Sequence, residues 1–274
     1  MPPVRDRRFG EEGALLSYGS YLRLPELLDQ QRPQSARLDV PGEPDRPAAH
    51  DELLFITIHQ VYELWFKLLL HELGDARDQM LAGDDYLPRL RLHRAHVVER
   101  VLLEQVDVLE TMTPQDFLAF RALLAPASGF QSVQFREVEF LSGAKEPAYV
   151  ARLAHAGDEE RDRLRRRLEE PTLWDGFVSL LDQAGFDVGT ADSRRAALIA
   201  VSRDRHAHGS LWDLAEALIE HDALCARWRA RHVLMVERQI GTKSGTGGST
   251  GAPYLRGRTG LHFYPELWEL RSYL

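Results

Sequence analysis

Cysteine is almost absent, with Cys225 the only one in 274 residues. No intrachain disulfide can form, and a reducing cytoplasm is the expected setting. Positive charge is not in excess either. The chain carries 34 Lys and Arg against 42 Asp and Glu, a net charge of -8, which argues against nucleic acid as a main partner. No run is read as reaching the roughly 20 apolar residues of a membrane span, so no membrane partner is expected. The opening MPPVRDRRFGEEG has no apolar core and is not expected to act as a secretory signal. Sustained strand alternation is missing, as are a repeat of about 20–50 residues and a domain linker. What remains predicts an all-α fold: one helical-bundle domain over residues 1–274, with an N-terminal arm over 1–22. The 44% hydrophobic fraction suffices to bury a large core in a chain of this length.

Two stretches stand out. The first runs from Trp228 to Gly251, WRARHVLMVERQIGTKSGTGGSTG. On a helix, Leu224, Trp228, His232 and Met235 form one apolar stripe, so His232 is aimed inward. The helix gives out near Gly241, and four of the seven residues from Gly245 to Gly251 are glycine. Glycines are costly to order, and a cluster of them serves where backbone approaches a ligand or other backbone closely. Lys243-Ser244 lacks the preceding glycine of a phosphate loop. A dinucleotide loop would follow a strand, and here a helix precedes. Gly247 to Gly251 does fit G-x-S-x-G, but a nucleophile elbow needs a strand before it and a spaced acid and histidine after it. Only His262, Glu266 and Glu269 follow, within 23 residues. Tyr254, Leu255, Phe263, Tyr264, Leu267 and Trp268 downstream need burial, so the loop joins packed elements.

The second stretch is His50 to Leu81, HDELLFITIHQVYELWFKLLLHELGDARDQML. Asp51 and Glu52 suit a helix N-terminus. Leu54, Ile58, Val61, Trp65, Leu68 and Leu69 give a broad apolar face, and Phe55 and His59 point the same way. His59 is either a satisfied core histidine or a proton partner in a buried pocket. A further helix is expected over 86–112. Thr113-Pro114-Gln115-Asp116 reads as a capping box with proline at the first helical position. The helix it starts carries Phe117 and Arg121 one turn apart. Arg121 needs an anion if buried, or snorkels to the surface. PASGF (126–130) is a turn before a helix near Val133 to Leu141. Residues 157–170 read as a solvated charged helix, 171–184 as another, and a last long helix starts at Ser210. His206 and His208, with His221 and Asp222 beyond, lie in a stretch read as polar without metal-ligand spacing. Tyr18 and Tyr21 on the arm serve packing or reach a neighbouring subunit.

Six blocks, in this order, resemble the tryptophan 2,3-dioxygenase family: YGSYLRLPELL (18–28), HDELLFITIHQVYELWFKLLLHEL (50–73), LETMTPQDFLAFR (109–121), PASGFQSVQFR (126–136), RHVLMVERQIGTKSGTGGSTG (231–251) and FYPELWELR (263–271). The resemblance implies a helical enzyme with haem b, ferrous when active, that inserts both atoms of O2 across the indole C2=C3 bond of L-tryptophan. It implies His232 as axial ligand of the haem iron and His59 as the distal histidine beside the indole N–H. Phe55 and Phe117 would lie against the substrate, Arg121 on its carboxylate, and Thr246 on its ammonium and carboxylate. Ser128 and Gly129 would line the distal haem pocket. Tyr18, Tyr21 and Leu22 would enter a neighbour's pocket in a homotetramer. The chain departs from the family at Ser17, where threonine is common, at Phe117, where some relatives have tyrosine, and at His262 and Tyr264. These departures leave a related indole substrate open. A haem-binding protein without turnover is the competing class, and it would have no need of Arg121.

Overall fold

The computed structural model describes residues 17–37, 47–153, 156–248 and 250–274. Residues 1–16 of the expected arm and Ser249 of the G-x-S-x-G match lie outside them. Among the described residues every regular element is helical, as composition and periodicity predict. Two short helices come first, α1 (Tyr18–Leu22) and α2 (Leu24–Leu28). Then come α3 (His50–Leu81), α4 (Leu87–Leu109), α5 (Pro114–Leu124) and α6 (Val133–Ser142). The segment continues through α7 (Ala148–Arg152), α8 (Asp158–Glu169), α9 (Leu173–Gln183) and α10 (Ala191–Arg203). It closes with α11 (Arg205–Ile240), α12 (Ala252–Arg256) and α13 (Pro265–Leu270).

Caps set most of these boundaries. The Thr113 hydroxyl accepts from Asp116 N while Asp116 reaches back to Thr113 N, so α5 starts at Pro114. Thr172 and Asp175 repeat the device, which trims the expected 171–184 helix to α9. The last long helix starts five residues before Ser210. Asp204 caps Ala207 N, and the chain kinks at His208, whose φ of -124° and ψ of 27° are not helical.

Helix α3 is the centre. Ile58, Tyr62, Phe66, Leu69, Leu73, Ala76 and Met80 step along it by three and four and are buried. They pack against α4, α6 and α9, while α11 lies against α4 and meets α3 where Trp228 touches Tyr62. One continuous core joins these helices to Phe263, Tyr264, Leu267 and Leu270 near the C-terminus. By length and apolarity alone α3 does meet the requirement for crossing a bilayer, which the sequence reading denied. One set of its apolar residues lies in the core and another lines a cavity, while Leu53 and Leu81 stay exposed.

Candidate active site

The cavity lies between α3, α5, α6 and α11 and the loop after Gly241, and has a volume of about 980 Å³. That is at the upper end of the ~300–1,000 Å³ of small-molecule sites. Phe55, His59, Phe117, Arg121, Ser128, Gly129, His232 and Thr246 all line it. Tyr18, Tyr21 and Leu22 do not; they sit on α1 with their side chains exposed.

An aromatic cluster forms one end. Phe55 stacks on Phe117 with ring centres 5.6 Å apart, and Phe120 meets both edge-on. His59 lies 4.0 Å from the Phe55 ring, one turn along α3. Its Nδ1 is 2.7 Å from the Phe55 carbonyl oxygen, a distance at which Nδ1–H donates. The neutral ring then keeps its lone pair on Nε2. Burial lowers the His59 pKa, against the opposing pull of the Phe55 carbonyl and Glu63, and so favours that neutral form.

His232 comes from the other side, on α11. Burial, aided by the nearness of His59, pushes its pKa down to about 4. The imidazole is therefore neutral near pH 7. It lies parallel to the Trp228 indole, one turn earlier on the same helix. Trp228 is in turn wedged by Phe135 and Tyr62. No hydrogen bond joins a ring nitrogen of His232 to another described residue.

The glycine loop forms the lid of this space. Thr246 Oγ1 donates to the Ala127 carbonyl at 2.7 Å, and Arg121 donates to the Ser244 carbonyl. A Cβ at Gly247 would stand 2.7 Å from Ser128 Cβ, and one at Gly251 (φ +72°) 2.6 Å from the Lys243 carbonyl oxygen. At both positions the close approach of backbone requires glycine. Arg121 has no carboxylate partner among the described residues.

Sequence reasoning missed a polar end of the cavity. Arg136, Glu139, Tyr254 and Arg258 line it, and Nε of both arginines is buried without a hydrogen-bond partner. Arg136 also lies 4.1 Å from the Tyr149 ring centre. These residues are scattered over 122 positions, from 136 to 258, and no local pattern joins them.

The histidine grouping of the sequence needs correction. His206 and His208 sit at the outer start of α11, whereas His221 and Asp222 are fully buried. His221 Nδ1 is 2.5 Å from Glu99 Oε1, and its Nε2 is 2.8 Å from Ser142 Oγ. Glu99, His221 and Cys225 bring their ligand-type atoms within 4.8 Å of one another, and Glu99 Oε1 is engaged by His221 Nδ1. Asp222 accepts from the backbone N–H of Phe263 and Tyr264 and from Trp268 Nε1, tying the C-terminal segment to α11.

The family model described as tryptophan 2,3-dioxygenase matches residues 5–185 and 183–274. The chain belongs to the tryptophan 2,3-dioxygenase family. Among its relatives, a protein of that name from a Nocardioides species is 57% identical over 270 residues, covering 97% of both chains. The one from Herpetosiphon aurantiacus is 43% identical, over 94% of this chain and 98% of the relative. The one from an Anaeromyxobacter species is 40% identical, over 95% and 97%. Membership of the tryptophan 2,3-dioxygenase family gives the two histidines and the loop a common context. The two histidines and the loop meet on one cavity.

Proposed function

We propose that the chain is a haem-dependent tryptophan 2,3-dioxygenase: one domain over residues 1–274, acting on L-tryptophan and O2 in a cytoplasmic homotetramer. The observation that carries this reading is the meeting of eight residues, from three helices and the two segments after Leu124 and Gly241, on one cavity.

The residues fit a haem. His232 offers a neutral imidazole whose nitrogens no described residue occupies, as an axial ligand must. Trp228 fixes the plane of that ring. The guanidiniums of Arg136 and Arg258 pair with Glu139 and Glu146, and each has further N–H groups to give to the carboxylates that a haem carries. When bound, the haem supplies ferrous iron for activating O2, whose two atoms enter across the indole C2=C3 bond to give N-formyl-L-kynurenine, the first step of tryptophan catabolism.

The protein's own part is positioning. Phe55 and Phe117 supply flat walls for the indole. His59 presents Nε2 as an acceptor for the indole N–H and holds that proton rather than removing it outright. Arg121 takes the substrate carboxylate in a fork that lysine would not match. Thr246 contacts the ammonium and carboxylate, and Ser128 and Gly129 line the distal side. The loop over the cavity keeps water out while the reaction proceeds. In a tetramer, Tyr18, Tyr21 and Leu22 complete a neighbour's site, which accounts for three apolar side chains left exposed on a five-residue helix.

The test is direct. The protein is loaded with haem, reduced, given L-tryptophan in air, and followed for the absorbance of N-formylkynurenine. Haem binding without product would move the chain to the class of haem carriers.

A further inference from the structure

Helix α4 has a face that nothing in the described chain covers. Its inner faces pack on α3 and α11 and bury Leu92, Ala95, Val98, Leu102, Val106 and Leu109. On the outside, Leu90, Val97, Val101 and Val108 stay between 36% and 46% exposed. Arg94 and Glu104, both exposed, complete the row. The six residues advance by four, three, four, three and four positions, the stepping of a helix-to-helix seam. The row also reads alike from both ends. Counted outward from position 99, Val97 answers Val101, Arg94 answers Glu104, and Leu90 answers Val108.

We propose that this face of α4 binds the same face of a second copy of the chain, antiparallel, about a two-fold axis level with residue 99. A two-fold interface must be complementary to itself. Antiparallel docking sets Val97 on the partner's Val101 and Leu90 on the partner's Val108, and brings Arg94 beside the partner's Glu104. A parallel arrangement would set arginine on arginine and glutamate on glutamate. Glu104 has no ion-pair partner in its own chain among the described residues. Arg94 holds Glu72 at 2.7 Å, but its side chain stays 55% exposed, and a guanidinium has further N–H groups to give.

The seam from 90 to 108 runs roughly 27 Å at about 1.5 Å per residue. A single pair of helices that long gives an interface at the small end of the stable range. Exposed Leu234 on α11 widens the patch at one end. It neighbours the tip of α4, where Arg231 and Arg238 both reach Glu110.

This inference rests on the homo-oligomer in the proposed function and gives it a face separate from the N-terminal arm. Two variants are made, Val97→Cys and Val101→Cys, mixed and exposed to a mild oxidant. A disulfide-linked dimer, dispersed by reductant, is expected from the mixture and much less of it from either variant alone. Native Cys225 is half-buried beside Glu99 and His221 with its thiol pKa pushed up, and the unmixed variants control for it. In parallel, Glu104→Arg sets arginine opposite Arg94, and light scattering should find the assembly at half its mass at micromolar concentration. An assembly of unchanged mass in Glu104→Arg, with no cross-link in the mixture, would reject this face and leave the oligomer standing. A wild-type chain that weighs in as a monomer would end both.

Discussion

The imidazole of His232 and the indole of Trp228 lie 6° from parallel, with ring centres 5.1 Å apart. The pair is set by a four-residue step on α11, and Trp228 is itself held against Phe135 at 5.2 Å. A ring packed in this way has little rotational freedom left, so its nitrogen points into the cavity before any ligand arrives. His232→Ala is expected to lose most bound haem, and turnover with it. Haem absorbance per chain after gel filtration checks this. A variant that kept a normal haem content would pass the axial role to another residue, with His59 next in line.

His59 takes the opposite part. Its Nδ1 is engaged by the Phe55 carbonyl, so only Nε2 is free to meet the indole N–H. His59→Ala should keep its haem and turn over more slowly. Its rate on 1-methyltryptophan, which has no N–H to offer, should fall by less than its rate on tryptophan. Relative rates on the two compounds, wild type against variant, give the answer. Equal losses on both would separate His59 from the indole nitrogen.

Much of this site was legible in the sequence because its parts obey local rules. The spacing of Leu224, Trp228, His232 and Met235 put His232 inside, and Leu224 and Met235 are indeed buried. The Thr113–Asp116 cap fixed the phase of α5 and so placed Phe117 and Arg121 on one side. What stayed hidden depends on partners distant in the chain. His221 and Asp222 look polar in sequence, and their burial follows from Glu99, Ser142 and Trp268 waiting for them. The apolar length of α3 is likewise underrated in sequence, because its charged residues are spread along a helix whose apolar ones α4, α6 and α9 gather into a core.

Acid should weaken the haem-free fold. Burial, aided by nearby His221, pushes the pKa of His96 down to about 4, and the ring bonds the Ala217 carbonyl at 3.0 Å. Between about pH 6.5 and pH 4 the unfolded chain binds a proton there that the folded chain refuses, so stability falls with pH. His221 offsets this only above about pH 6.5, where the unfolded ring gives up its proton. Burial works against its charge, but Glu99 prevails and holds its pKa well above normal. Its contribution is complete below pH 6.5 and is lost only as pH rises through its folded pKa. Urea midpoints should therefore drop from pH 7 to pH 5, and His96→Leu should show a shallower drop. An unchanged slope in that variant would remove His96 from the account.

The arm offers a test of assembly. Tyr18, Tyr21 and Leu28 stand well exposed on helices too short to bury them. Deleting residues 1–22 should weaken the tetramer and raise the KM for tryptophan together, as read by light scattering and steady-state kinetics. A normal tetramer with unchanged KM would reduce the arm to surface packing.

Arg121 and Thr246 are the last pair to test, and the structure alters what is expected of them. The sequence alone leaves Arg121 either buried and in need of an anion or snorkelling to the surface. Instead Arg121 donates to the Ser244 carbonyl, and Thr246 to the Ala127 carbonyl, so both tie the glycine loop to α5 and the turn after it. Neither partner is charged. A substrate carboxylate makes the stronger, charge-assisted bond, so it can draw Arg121 off Ser244. Hydrogen bonds to a charged group are worth roughly 1.5–3 kcal/mol, or about 10- to 150-fold in kcat/KM at ~1.4 kcal/mol per decade. Arg121→Leu should show a loss of that size on tryptophan. Tryptamine has the indole and the ammonium but no carboxylate, so its kcat/KM should fall far less. Thr246→Val removes a neutral hydroxyl and should cost less, on the order of 1 kcal/mol. Haem content should stay intact in both variants, since neither residue lies on α11. The measurement is kcat/KM for both compounds in wild type and variants. An equal fractional loss on tryptophan and tryptamine would mean that Arg121 only latches the loop and never meets the carboxylate.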